Sequence, residues 1–256
     1  MTTYRNLTSL TLALGALIIF VVSCGGLTAK KDEPPPTPVP SSSSSPTTAK
    51  SPSTSEAKDI AGEYDVTGTN EGTGTPYRGS LKVEAHDAVY RFMWDSGGRQ
   101  YDGVGVKTDS AVAVAFTSGD TGKGCGVILY KIGADGTLDG KAGYWGQDTS
   151  ESETAKRTSG SDLEGNYDIS GKNTAGKEYK GKLAVKKNGE GYDFTWSAGI
   201  TLEGFGVRQG DTVAVGFGGK QCGFVSYEVA SDDGAMIGKW GSSGSKTFGT
   251  ETARKK

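Results

Sequence analysis

Very few side chains in this sequence could do chemistry. The chain holds 1 His and 3 Cys among 256 residues. His86 lies in the turn-like run Ala85-His86-Asp87-Ala88, and a histidine beside an acid could supply two parts of a proton-relay triad. Triads, however, assemble from separate chain segments, no serine elbow accompanies this one, and the matching stretch half a chain later reads Lys187-Asn188-Gly189-Glu190. A surface turn residue is the simpler reading. Cys125 and Cys222 are each alone in their half of the chain, which disfavours zinc. The acidic runs ADGTLDG and SDDGAMIG lack the ligand spacing of a calcium loop and read as hairpin turns. GDTGKG lacks both the Ser or Thr after Lys123 and a following helix, so it is not a phosphate loop. No acid, base, nucleophile or metal set is seen to recur in both halves, which points away from an enzyme and from any cofactor. What does recur is aromatic: VYRFMWDSG returns as GYDFTWSAG. Strand side chains alternate, so Tyr90, Phe92 and Trp94 share one face, as do Tyr192, Phe194 and Trp196. Such a face is either the packed inside of a sheet or a cup for a small ligand.

The segments that carry these residues begin with a processing signal. Arg5 precedes an almost uncharged apolar run, Leu7 to Val22, which is short for a membrane span. The run ends in Val21-Val22-Ser23-Cys24-Gly25, which resembles a bacterial lipobox. The resemblance implies a signal peptide over 1–23, cleavage before Cys24, and diacylglyceryl and acyl chains (palmitate) on Cys24. Several chains anchor firmly, because each buried methylene contributes about 0.8 kcal/mol. Incorporation of labelled palmitate, and its loss in Cys24→Ala, is the check. Residues 24–58 contain PPPTPVP and SSSSSPTT with almost nothing apolar, the composition of a disordered tether. The expected location is the bacterial cell envelope, lipid-anchored, at the outer membrane, with the periplasmic and surface faces both open.

The remaining chain is a duplication. DIAGEYDVTG returns as DLEGNYDISG, PYRGSLKV as EYKGKLAV, AVAVAF as TVAVGF, GKGCGVILY as GKQCGFVSY, and ESETA as GTETA. The offset falls from 103 at Gly62/Gly165 to 97 at Cys125/Cys222, with most of the loss in one loop, where deletions are tolerated. The economical division is two β-domains, 59–157 and 161–254. Segment 59–157 carries 10 basic and 15 acidic residues and 161–256 carries 13 and 12, so neither has the basic excess of a nucleic-acid binder.

Each copy shows about eight short runs of period two, separated by Gly- and Asp-rich turns, which predicts an all-β fold. Connections this short favour antiparallel meanders, and a meander loses its exposed edges by closing. A small barrel is therefore favoured over a sandwich in each of two tandem domains, with a sheet system shared between the copies as the other arrangement. Cys125 and Cys222 are either buried thiols, or a bridge across a contact between the copies, or a reactive thiol; buried is the default for unpaired cysteine. Both faces of the cysteine strands are apolar, so these strands could be covered on both sides by the partner copy. Trp240 aligns with Ala142 and Trp145 with Ser243, so the two indoles face opposite sides of their strands, with Trp145 the exposed one.

The repeated pattern G-x-Y-x-[VI]-x-G, Y-x-G-x-L-x-V, Y-x-F-x-W and G-[VF]-G-V resembles a module of bacterial exported proteins sometimes labelled fibronectin-binding. Its Gly-aromatic rhythm is also similar to avidin-like and other calycin barrels. The resemblance implies a fold and no diagnostic site. The expectation is a non-enzymatic binding or envelope-interaction protein with protein partners. The alternative is a periplasm-facing carrier of a small apolar or aromatic ligand, held over Tyr90, Phe92 and Trp94 or over Tyr192, Phe194 and Trp196. Where the two copies differ is where a binding site is to be sought.

Overall fold

The computed structural model describes residues 59–119, 122–232 and 234–256. The signal peptide 1–23, Cys24 and the tether 24–58 lie outside the described residues. The strands are β1 (Gly62–Thr69), β2 (Pro76–His86), β3 (Val89–Ser96), β4 (Arg99–Thr108), β5 (Ala111–Ser118), β6 (Cys125–Ile132), β7 (Leu138–Tyr144) and β8 (Glu151–Ser161). They continue as β9 (Glu164–Lys172), β10 (Glu178–Asn188), β11 (Gly191–Ser197), β12 (Thr201–Gln209), β13 (Thr212–Gly218), β14 (Gly223–Val229), β15 (Met236–Ser242) and β16 (Gly249–Lys255). All are antiparallel, and they close into two barrels of eight strands each. The all-β class and the barrel are as the alternating runs predict.

Strand membership is not as the repeat suggests. One barrel is contiguous in the chain, β6 to β13, and is called central here; the other joins β1–β5 to β14–β16 and is called terminal. Each barrel thus takes five strands from one copy and three from the other. Segments 59–157 and 161–254 are sequence repeats, and the folded units are cut elsewhere. The repeat boundary runs through the β8–β9 hairpin, paired from Ser152↔Lys172 to Ser161↔Glu164. The chain passes between barrels in the β5–β6 and β13–β14 links, and β5 pairs with β14 while β6 pairs with β13.

The reason lies in four strands whose two faces are both apolar. In β5, Val112 and Val114 point into the terminal barrel, while Ala113 and Ala115 point out; in β6, Ile128 and Tyr130 point in, while Cys125, Val127 and Leu129 point out. The outward rows pack on one another, with Val104, Val106 and Ala214, as a core between the barrels. Each Val or Leu buried this way contributes about 1.5–3 kcal/mol, which a free-standing barrel would forgo. Close approach is helped by Gly143 on β7, where a Cβ would lie 2.9 Å from Val106. A second contact sets Phe205 of β12 edge-to-face with Phe224 of β14, ring centroids 5.8 Å apart, and Phe248 lies against both.

Cys125 and Cys222 form a disulfide with their Cα atoms 5.8 Å apart. Of the three readings of these cysteines, the bridge is the one found, and it ties the two inter-barrel links together. Trp240 faces the barrel interior and Trp145 the outside, as their parity predicts. Trp145 is nonetheless half-buried: it packs on the inter-barrel core, with the Arg91 guanidinium 5.7 Å over its ring.

One end of each barrel is plugged by the residue that leads into its first repeat strand. Ile60 is buried in the terminal barrel and accepts a 2.6 Å hydrogen bond from the Tyr64 hydroxyl through its carbonyl; Leu163 and Tyr167 repeat this at 2.7 Å in the central barrel. Any cup must open at the other end.

Candidate functional site

Halfway along each barrel a carboxylate projects inward from its last repeat strand. In the terminal barrel Glu251 of β16 accepts hydrogen bonds from the Trp94 indole of β3 (2.9 Å), the Tyr77 hydroxyl of β2 (2.7 Å) and the Tyr227 hydroxyl of β14. In the central barrel Glu153 of β8 accepts them from Trp196 of β11 (3.1 Å), Tyr179 of β10 (3.0 Å) and Tyr130 of β6. Both carboxylates are 5% exposed. A buried charge is tolerated only when hydrogen-bonded, and each barrel supplies three neutral donors. Two of the donors come from one sequence copy; the third, with the carboxylate, comes from the other. Strand exchange therefore assembles both clusters.

Burial raises the Glu251 carboxyl above the ordinary carboxylate range, and its three hydrogen bonds oppose that rise. The Tyr227 and Tyr130 hydroxyls are pushed well above an ordinary phenol, first by burial and then by the adjacent carboxylate, and Tyr77 and Tyr179 rise for the same reasons. All four stay protonated and donate. Below this floor Phe92 stacks on Tyr227 (6.4 Å between centroids) and Phe194 on Tyr130 (6.3 Å).

The six aromatics singled out from the sequence do not share one cup. Phe92, Phe194, Trp196 and Tyr192 are core residues, 0%, 1%, 6% and 7% exposed. Tyr90 lies toward the plugged end, its hydroxyl 3.5 Å from Asp59. Of the six, Trp94 lines the cavity of about 320 Å³ at the open end of the terminal barrel, while Tyr90 and Phe194 border separate clefts. Its walls are Tyr77, Trp94, Ser96, Tyr101, Phe116, Val225 and Trp240, with Glu251 at its base and Asn70 and Arg99 near its rim. The rings form a continuous edge-to-face series: Tyr101 to Phe116 (5.8 Å), Phe116 to Trp240 (6.4 Å) and Trp240 to Tyr77 (6.2 Å). The Trp240 indole is held by the Thr69 carbonyl at 3.1 Å. The β15–β16 turn is tied to the β1–β2 turn through Glu71, which accepts from the Ser242 and Ser245 hydroxyls.

One wall residue is unsatisfied. Ser96 is 8% exposed and its hydroxyl has no hydrogen-bond partner in the protein. A buried polar group left unpaired costs about 1–3 kcal/mol, so a site that keeps one commonly uses it.

Glu153, Glu251, Tyr77, Tyr101, Ser96 and Trp240 were not singled out as ligand residues from the sequence. The recurrence of a Glu within ESETA and GTETA, at the same parity as the inward Ala155 and Ala253, was the available signal. It also corrects the reading that no acid recurs in both halves: a carboxylate with two phenols does. No nucleophile adjoins either carboxylate among the hydrogen bonds described. Among the described residues no group of three or more His, Cys, Asp and Glu could hold a metal ion. His86 lies at the end of β2, 3.4 Å from Asp148 and 3.8 Å from Glu84, with its side chain 41% exposed.

Comparison of the chain with family models, curated proteins and solved structures finds no match.

Proposed function

We propose that this chain is a non-enzymatic, lipid-anchored binding protein of the bacterial envelope, and that its ligand site is the cup of the terminal barrel. The observation that carries the reading is the cup itself: about 320 Å³, walled by five aromatic rings, with an unpartnered, buried Ser96 hydroxyl on its wall. That volume lies at the small end of ligand pockets and suits one ring-sized molecule. The lipobox-like stretch ending at Cys24 and the polar tether support a place on a membrane surface, with the folded part held off it. The resemblance to exported modules labelled fibronectin-binding supports a binding role without naming a partner. A small ligand is favoured over a protein partner because the concave aromatic surface is inside the barrel, where another folded chain cannot reach.

Native mass spectrometry of the full chain, extracted from bacterial membranes in mild detergent, should retain a small molecule. Its release should change the fluorescence of Trp94 and Trp240, and the change should survive Trp145→Phe with Trp196→Phe. A chain that carries nothing, with no fluorescence response to envelope extracts, would overturn the reading.

A further inference from the structure

We infer that the terminal cup selects a small organic cation, an ammonium or alkylated amine on a ring-sized apolar body, with Glu251 as its counter-charge. This rests on the cup being a ligand site and goes on to name the chemical class.

Glu251 lines the cup while only 5% exposed. Its partners are two phenols and an indole, which orient toward the negative charge without cancelling it. A carboxylate has about four acceptor positions, of which three are used here. The remaining one is open to a donor in the cup. The wall above it is a series of aromatic rings, whose faces attract cations within about 6 Å of their centroids. An anion would face the Glu251 charge at the base of the cup and is disfavoured there. Arg99 is the charged residue at the rim, and it does not reverse this preference. Its side chain is exposed and screened by water, whereas the same Coulomb interaction is several-fold stronger for a charge away from water. Arg99 instead suits a polar or acidic group at the outer end of the ligand. The Ser96 hydroxyl, free to accept as well as donate, can take an N–H.

The central barrel provides the control. It has the same carboxylate floor, but the positions of Tyr101 and Trp240 are Leu202 and Ala142, and Tyr144 packs over Phe217 with centroids 5.3 Å apart.

The titratable groups that face Glu251 are Tyr77 on β2 and Tyr227 on β14, with Tyr101 on β4 in the wall and Arg99 at the rim. Tyr77 and Tyr227 are held protonated by burial, so the change on acidification is that of Glu251. Its carboxyl is raised in the free protein, and a bound cation favours its ionised form. Affinity for a cation is therefore full above that raised value and falls as pH drops through it.

The test is calorimetric titration of the full chain in detergent with phenethylammonium, 2-phenylethanol and phenylacetate, which carry one ring with a positive, a neutral and a negative end. Phenethylammonium should bind about tenfold or more tighter than the alcohol, and phenylacetate weakest. Glu251→Gln should abolish the preference and Glu153→Gln should keep it. Should Glu251→Gln fail to fold, two measurements remain: loss of phenethylammonium affinity on acidification with the alcohol unaffected, and about tenfold weaker cation binding in Tyr101→Leu, which installs the central-barrel residue. Equal or stronger binding of the alcohol or phenylacetate, or cation affinity that does not fall with acid, overturns the cation assignment and leaves the cup as a site. No binding of all three, with nothing retained in native mass spectrometry, overturns both.

Discussion

In the terminal barrel β15 carries Trp240 and Ser242 on its inner face, where β7 of the central barrel carries Ala142 and Tyr144. Around them Ser96 faces what is Ala198 in the other mouth, Arg99 corresponds to Ile200, and Tyr101 to Leu202. Deeper in, the two barrels match ring for ring: Phe92 and Trp94 stack at 5.5 Å and Phe194 and Trp196 at 5.7 Å, each over a Glu with three neutral donors. Identity at the floor and divergence at the mouth separate two roles. The floor residues hold each barrel closed, since they join strands from both copies. The mouth residues diverge: the terminal barrel has Ser96, Arg99, Tyr101 and Trp240 where the central barrel has Ala198, Ile200, Leu202 and Ala142, with Ile200 75% exposed.

The first way to break this comparison is to release what keeps the barrels together. The Cys125–Cys222 bridge spans 97 residues of sequence, and in the chain-entropy model a loop of that length stabilises by about 4–5 kcal/mol. Replacing both cysteines by Ser should lower the urea midpoint accordingly, and the two barrels should then unfold in separable steps. A single unshifted transition would mean that the outward rows of β5, β6, β13 and β14 hold the pair without the bridge.

A smaller effect tests the shared floor. Tyr227→Phe removes one of the three donors to Glu251, and Tyr130→Phe does the same to Glu153. Each should cost about 1–3 kcal/mol, because a buried acceptor loses a partner while the ring stays. The two costs should agree within the error of denaturant titration. Loss of the Tyr227 hydroxyl should also raise the Glu251 carboxyl further, since that hydrogen bond favours its ionised form. A large cost in one barrel and none in the other would show that the floors differ in role.

How far these features were legible in the sequence depends on their range. Strand positions were legible because alternation is local: the run read at 125–132 is β6, Cys125–Ile132. Barrel membership was not, because a repeat unit can close with its own last three strands or with those of its twin using the same residues. The apolar outer faces of the cysteine strands were a signal for contact between the copies, and the disulfide and the inter-barrel core agree with it. The aromatic triplets were read as one inward face per strand. A barrel interior is layered, however, so Tyr90 reaches the plug, Phe92 the middle and Trp94 the cup. Glu251 and Glu153 escaped notice because a lone Glu on a strand ordinarily faces water, and only its long-range partners reveal otherwise.

The smallest expected effect bears most directly on the mouths, and its sign matters more than its size. Ser96→Ala removes a buried hydroxyl that has no partner. The unliganded protein should gain about 1 kcal/mol, seen as a higher urea midpoint, because the unpaired group costs about that much where it stands. The reciprocal Ala198→Ser lies in a half-buried mouth that water reaches, and should change stability by less than about 0.5 kcal/mol. If Ser96 is kept for a ligand, the variant that stabilises the free protein must weaken the complex, and phenethylammonium should bind less tightly to Ser96→Ala. A stabilised variant with unchanged affinity would mean that the hydroxyl serves no ligand, and the asymmetry of the mouths would then rest on Trp240, Tyr101 and Arg99. Loss of both stability and affinity would place Ser96 among the residues that shape the barrel, beside Gly79, whose added Cβ would come within 2.8 Å of it.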